Sequence, residues 1–588
     1  MRPADETGAN DEPVQAPTVC AAFQRLAARH PDKLALRTLG RERTWTWAEL
    51  NGEVREVAAG LAAAGIGHGD TVAMMLPNVP ECHLVDLAAV HLGAVPFAIY
   101  NSSSVEQVRY QLEDAATTII ITQQSYLEKV LAAGADLDAL RTVVVVDGPA
   151  PEGVTAFADL VQAGEPGFDF ESAWRTVGEE DLVTLIYTSG TTGPPKGALW
   201  AHRSVMTQLR ALGAAMPLAS ESIVSFLPMA HAGGRIAAHY MALPHGATIT
   251  CCPDLNDLPH ALADARPDAM FTVPRVWEKL RAGIEAMLAA ADEETRAEGR
   301  AIIASGEARA RAGEAPEPPA PLLLPILRRL GLDRLRVAFI GGAPSAPALS
   351  EFFRGCGVPL LEAYGSTECG LNVFNRIDDF RGGTVGKPLP GVELRIAADG
   401  EILVRARLNM VGYRNRPEQS AETLDADGWL HTGDIGEVDA DGFLSVVDRK
   451  KDIIISAAGK NMSPVNIEAA IKPESALIGQ MATIGDGRRF ITALVVLDPD
   501  GAAAFATQHG LETTDIAALA RHPEVLAEVD AAVKRGNERL SRVEQVKKHM
   551  VLATSWLPDS EEMTPTMKLK RRAIAAKYRD EIEQLYAD

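Results

Sequence analysis

The chain has 588 residues, 47% hydrophobic and 23% charged. Those proportions exclude a mostly disordered, collagen-like or coiled-coil protein, and at roughly 150 residues per domain they predict about three or four folding units. A net charge of −22 argues against nucleic acid as a partner, and six cysteines without a CxxC pair support neither a disulfide framework nor a zinc ribbon, pointing to a reducing, cytoplasmic compartment.

In chain order, residues 1–16 read as an acidic, proline-containing disordered tail that lacks the basic start and apolar run of a secretory signal. Thr46 with Glu49 forms a capping box, Leu50, Val54, Val57 and Leu61 recur on one helical face, and Gly65 supplies a left-handed stop. An apolar run at 71–76, a helical pattern after Pro80, a run at 95–100, a Ser-capped helix from about Ser103 and a run at 117–122 follow. This alternation predicts an α/β fold with parallel strands. Residues 277–332 read as a helical excursion closed by a proline-rich bend. After Gly386 the texture changes to short strands and turns, and from Lys450 a mixed segment runs to a final charged helix. No apolar stretch reaches the roughly 18–20 residues of a membrane span, so any membrane contact is peripheral.

The sharpest local signal is Tyr187-Thr-Ser-Gly-Thr-Thr-Gly-Pro-Pro-Lys-Gly197, following the apolar run 182–186. Gly190 and Gly193 let the backbone turn tightly, while the hydroxyls of Thr188, Ser189, Thr191 and Thr192, the exposed amides and Lys196 can surround phosphate oxygens. No Walker-type loop occurs, and Gly65-Ile-Gly67 lacks the third glycine of a dinucleotide fingerprint because position 70 is Asp.

Six further blocks stand in order: Leu227-Pro-Met-Ala-His231, Gly341-Gly-Ala-Pro344, Tyr364-Gly-Ser-Thr-Glu-Cys-Gly370, Gly428-Trp-Leu-His-Thr-Gly-Asp434, Asp448-Arg-Lys-Lys-Asp452 and Thr564-Pro-Thr-Met-Lys-Leu-Lys-Arg571. With them the chain, from about Phe23 to Tyr586, resembles the adenylate-forming (AMP-binding) superfamily and within it the long-chain fatty acyl-CoA synthetases. The resemblance implies a large multi-subdomain adenylation domain, residues 17–447, with mixed and parallel sheets, and a smaller mobile α+β cap, residues 448–588. It implies ATP-dependent activation of a medium- to long-chain fatty acid as an acyl-adenylate, with Mg²⁺, then thioester formation with coenzyme A. The alternative is a fatty acyl-AMP ligase that loads a carrier protein. Oligomeric state is not readable.

By the same resemblance, Tyr364 and the backbone of Gly341, Gly342, Ala343 and Pro344 would hold the adenine, flanked by Gly365 and Thr367. Asp434 and Arg449 would take the ribose, and Ser189 to Gly193 with Lys196 the phosphates. Thr188 and Glu368 would organise Mg²⁺. His231 would sit between the acyl and nucleotide sites, and Lys568, with Lys570 as its rival, would be the adenylating lysine. Lys451 would be the hinge, and Gly459 would border the pantetheine arm. Arg235, four residues after His231, fits the family pattern, but the acidic residue often found just before it is here Gly234, a departure that bears on acyl specificity.

Overall fold

The computed structural model describes residues 12–188, 194–216, 221–455, 461–557, 560–564 and 568–587. Local signals act as the sequence predicts. The Thr46 hydroxyl accepts from the Glu49 amide at 3.2 Å while the Glu49 carboxylate accepts from the Thr46 amide at 2.8 Å. The helix Trp47–Ala63 then buries Leu50, Val54, Val57 and Leu61, and Gly65 turns the chain at φ +86°. The Ser-capped helix, Val105–Asp114, takes Ser104 as its cap, one residue later than expected.

A five-stranded all-parallel sheet runs in the order Val95–Ala98, Thr71–Met75, Ile119–Thr122, Thr142–Val145, Thr155–Ala156. Helix Pro80–His91 is buried on every face apart from Glu81, so the charged and imidazole groups it carries, His83, Asp86 and His91, have to find partners inside the protein. A second sheet places Ala269–Thr272, Val337–Ile340 and Leu360–Ser366 in parallel and closes with two antiparallel strands, Gly370–Phe374 and Lys387–Pro388. Helices Pro274–Ala289 and Glu293–Arg311 form the expected excursion.

Beyond Gly386 the four antiparallel strands Glu393–Ile396, Glu401–Arg405, Leu430–Val438 and Leu444–Arg449 make a small β unit. The C-terminal unit has its own apolar core around Ile467, Met481, Val495 and Val529, under the sheet Ile478–Ile484, Ile491–Leu497, Val546–Leu552. It rests on helix Pro274–Ala289 through an ion pair between Arg275 and Asp498.

Two boundaries differ from the sequence expectation. Residues 12–16, assigned there to the tail, are packed: Pro13 and Ala16 are buried, and Arg210 donates to the Ala16 carbonyl at 3.3 Å. The division after residue 447 falls inside the strand Leu444–Arg449, because Asp448 and Arg449 pair with Ile435 and Asp434 and complete the sheet.

Candidate active site

The phosphate-loop motif spans a hairpin. Strands Leu182–Thr188 and Lys196–Ala201 pair antiparallel, with Thr188 opposite Lys196 as the last pair, and the Thr188 hydroxyl donates to the Lys196 carbonyl at 3.3 Å. Ser189, Gly190, Thr191, Thr192 and Gly193, between those ends, lie outside the described residues. Strand Gly412–Tyr413 adds to the free edge of the hairpin and sets the Tyr413 ring 4.6 Å from the Lys196 ammonium. The Tyr413 hydroxyl donates to Glu368 Oε1 at 2.8 Å, and Trp200 Nε1 donates to the Thr367 carbonyl at 2.9 Å. The hairpin and the Thr367–Glu368 turn are thereby locked together. Gly365 is required where that turn closes, since a Cβ there would lie 2.0 Å from the Gly370 carbonyl oxygen.

Strand register brings the next pair together. Asp434 stands opposite Arg449, whose Nε lies 2.9 Å from Asp434 Oδ1, and the Tyr364 hydroxyl donates to Asp434 Oδ2 at 2.7 Å. Burial raises the Asp434 pKa above the ordinary carboxylate value, against the opposing pull of Arg449, Tyr364 and Lys568. Burial also drives the Tyr364 phenol upward.

Lys568 is delivered by a tight turn, its amide donating to Thr564 Oγ1 at 3.0 Å and the Thr564 amide to the Lys568 carbonyl at 2.9 Å. The residue is exposed and lines the cavity. Desolvation and Arg449 lower its pKa, with Asp434 and Glu368 acting the other way. Lys570 instead donates to the Ser560 carbonyl at 2.9 Å, and Arg571 makes a two-pronged pair with Glu468 at 2.7 and 2.8 Å. Lys570 and Arg571 are therefore engaged within the protein, and Lys568 faces the cavity.

His231 Nδ1 accepts from the Gly233 amide at 3.0 Å, which leaves Nε2 to carry the ring proton. Burial, reinforced by Lys568, pushes its pKa down to about 4, so the imidazole is neutral near pH 7.

These groups meet in one cavity of about 750 Å³. Thr188, Lys196, His231, Glu368, Arg449 and Lys568 supply its polar lining, and Leu209, Leu212, Met216, Met241 and Phe271 supply apolar wall. Gly342, Gly365, Thr367 and Lys451 also line it. Tyr364 and Asp434 are buried and reach it through Arg449; Gly341 is buried, Ala343 half-buried and Pro344 exposed. Gly459 lies outside the described residues.

The sequence model of the AMP-binding enzymes matches residues 23–414, and that of the AMP-binding enzyme C-terminal domain matches residues 451–588. The chain belongs to the AMP-binding enzyme family. It is 46% identical over 451 residues, 74% of this chain and 79% of the relative, to a Mycobacterium tuberculosis protein provisionally named fatty-acid–CoA ligase fadD11. Identity is 34% over 560 residues, 92% of each chain, with the long-chain-fatty-acid–CoA ligase FadD15 of Mycobacterium bovis. In fold it matches the adenylation domain of a carboxylate reductase from Mycobacterium chelonae with a TM-score of 0.77 at 23% identity, covering 99% of this chain and 93% of that one.

Two residues of this family member's site carry no local sequence signal. Tyr413 joins Lys196 to Glu368 only because its short strand pairs with a hairpin far upstream, and Trp200 supports Thr367 from the same strand of that hairpin, Lys196–Ala201.

Proposed function

We propose that this AMP-binding enzyme is an ATP-dependent fatty acyl-CoA synthetase for medium- to long-chain acids. The observation that carries the reading is the continuity of the cavity, in which Lys568, Arg449 and Glu368 share one space with the apolar wall of Leu209, Leu212, Met216 and Met241. A fatty acid and a nucleotide can meet there.

In the first step a carboxylate oxygen attacks the α-phosphorus of ATP, the bond to the β-phosphate breaks and pyrophosphate leaves. Two anions must approach each other, and the Lys568 ammonium lies where it can bridge them. Lys196 and the Thr188 end of the hairpin take the phosphates, while Asp434, held by Arg449 and Tyr364, accepts from the ribose hydroxyls. His231 offers a neutral Nε2–H beside the carboxylate. In the second step the thiol of coenzyme A attacks the acyl carbon and AMP departs. The residues fit Mg²⁺: Glu368 and Thr188 line the cavity with oxygen donors and suit a hard cation held mainly by phosphate oxygens and water. Bound there, the ion neutralises phosphate charge. Lys451 follows the end of the body's last strand, as a hinge does. The six buried free thiols fit action in the cytoplasm. No helix among the described residues is long and apolar enough to cross a membrane, so contact with one is peripheral in this reading.

The test is coenzyme A-dependent thioester formation with ATP and Mg²⁺ across acids of two to twenty carbons and aryl acids. Product peaking among medium or long chains supports the reading; pyrophosphate release without thioester overturns it. Gly213 provides a specificity prediction. It lines the cavity from helix His202–Ala215, and a Cβ added there meets nothing within 4 Å. Leucine at this position adds a side chain to the acyl space and favours the helix by up to about 1 kcal/mol. Gly213→Leu shifts the best acid to a shorter chain and lowers kcat/KM for the longest acids about tenfold or more, leaving the KM for ATP within about twofold. A chain-length profile checks this.

A further inference from the structure

The apolar wall beside His231 is an irregular stretch of chain. Residues Ala232–Gly234 make one α turn, Arg235–His239 a π turn and Tyr240–Ala242 a 3₁₀ turn. A π turn is a rare local form that its surroundings must hold in place. One side of the stretch, Ala232, Gly233, Ile236, Ala237 and Met241, lines the cavity. Arg235, His239 and Tyr240 are fully buried and do not line it.

Those buried groups meet helix Pro80–His91. Asp86, with no exposed surface, accepts from Arg235 Nη1 and, at 3.0 Å, from His239 Nε2. His239 Nδ1 is then left to accept from His83 Nδ1 at 2.9 Å, and the Tyr240 hydroxyl stands 3.5 Å from Arg235 Nη1. Arg235 Nε and Nη2 and His83 Nε2 find no hydrogen-bond partner among the described residues. Asp86 is thus the counter-ion of Arg235, supplied by a distant helix. An acid at position 234 has no room, because any Cβ there would lie 2.4 Å from the Pro228 carbonyl oxygen.

A fully buried ion pair contributes little net stability, since desolvation offsets its attraction, but it fixes geometry. We propose that Asp86, Arg235, His239 and His83 are positioning residues for acyl selection, a buried network that holds the π turn and so sets where Ile236 and Ala237 stand in the acyl wall. The proposal rests on the acyl-CoA synthetase reading.

Replacing both charges by apolar groups of similar size leaves neither charge buried without its partner, at the cost of the acceptor of His239 Nε2. In the full-length enzyme, Asp86→Leu with Arg235→Met keeps the melting temperature within a few degrees and the KM for ATP within about twofold, while the kcat/KM preference for the best chain over acids two carbons longer or shorter flattens about tenfold. Arg235→Lys, which keeps the charge opposite Asp86, retains the parental profile. A folded double variant with the parental profile overturns the proposal. If the double variant does not fold, His239→Gln carries the test: it removes the His83 arm and leaves Asp86 with Arg235, and an unchanged acyl profile in that variant overturns the proposal equally. Failure of the parent enzyme with every acid would instead remove the synthetase reading, so the two failures are distinguishable.

Discussion

Lys568→Ala lowers the rate of acyl-adenylate formation by about 10²- to 10³-fold, whereas Lys570→Ala stays within about threefold of the parent. The contrast follows from where the turn after Thr564 places two lysines of one short run. Lys568 lines the cavity beside Arg449, Asp434 and Glu368, and Lys570 is spent on the Ser560 carbonyl. A fixed ammonium that needs no reorganisation when charge builds on the α-phosphate contributes most in the transition state, so the loss falls on kcat more than on the KM for ATP. Acid-dependent pyrophosphate release in single turnover, measured for both variants, is the check. Equal losses in the two would sink the assignment of the charge to Lys568.

Three buried histidines lower the stability of the fold as pH falls below about 6.5. His83, His91 and His202 are at most 1% exposed, and burial, the largest cause for each, pushes their pKa values to about 3, 4 and 3. All three lie below the unfolded value near 6.5, so between pH 6.5 and about 4 the unfolded chain binds protons that the native protein does not. Stability therefore falls as pH falls through that window and is fully present above it. At pH 5 each histidine contributes a loss of about 2 kcal/mol, partly offset by Glu362, whose buried carboxyl is pushed up to about 7 and so favours the folded state as pH falls. The local contacts agree: His202 Nδ1 accepts from the Val19 amide at 3.1 Å and loses that bond when protonated. Thermal melts from pH 7.5 to 4.5 should show the midpoint dropping steeply below pH 6.5. With Glu362→Gln as the background, which removes the opposing carboxyl, a flat profile down to pH 5 would contradict the neutral, buried state of these rings.

Much of the body was legible because its signals are local. A capping box, a left-handed glycine and alternating apolar runs each depend on a few neighbouring residues, and Thr46, Gly65 and the strand Thr71–Met75 behave accordingly. The candidate site was legible as a set of motifs, but the contacts that organise it are long-range. Nothing near Tyr413 announces that it will face Lys196, and nothing near Asp86 announces Arg235, since both partnerships exist only after distant elements have packed. Residues 12–16 misled for the opposite reason: their composition is that of a tail, yet Pro13 and Ala16 find an apolar surface on the body.

The end of the strand Leu444–Arg449 has a consequence for modularity. The sheet of the body stops at Arg449, a cavity residue, and Lys451, two positions on, lines the cavity as well. The connection between the two units is itself part of the cavity wall. A chimera that grafts the C-terminal unit of a relative onto this body imports part of the cavity lining wherever the junction lies, because Lys568 comes with that unit, and a junction before Lys451 exchanges the connecting wall as well. Recombination here exchanges chemistry and geometry together.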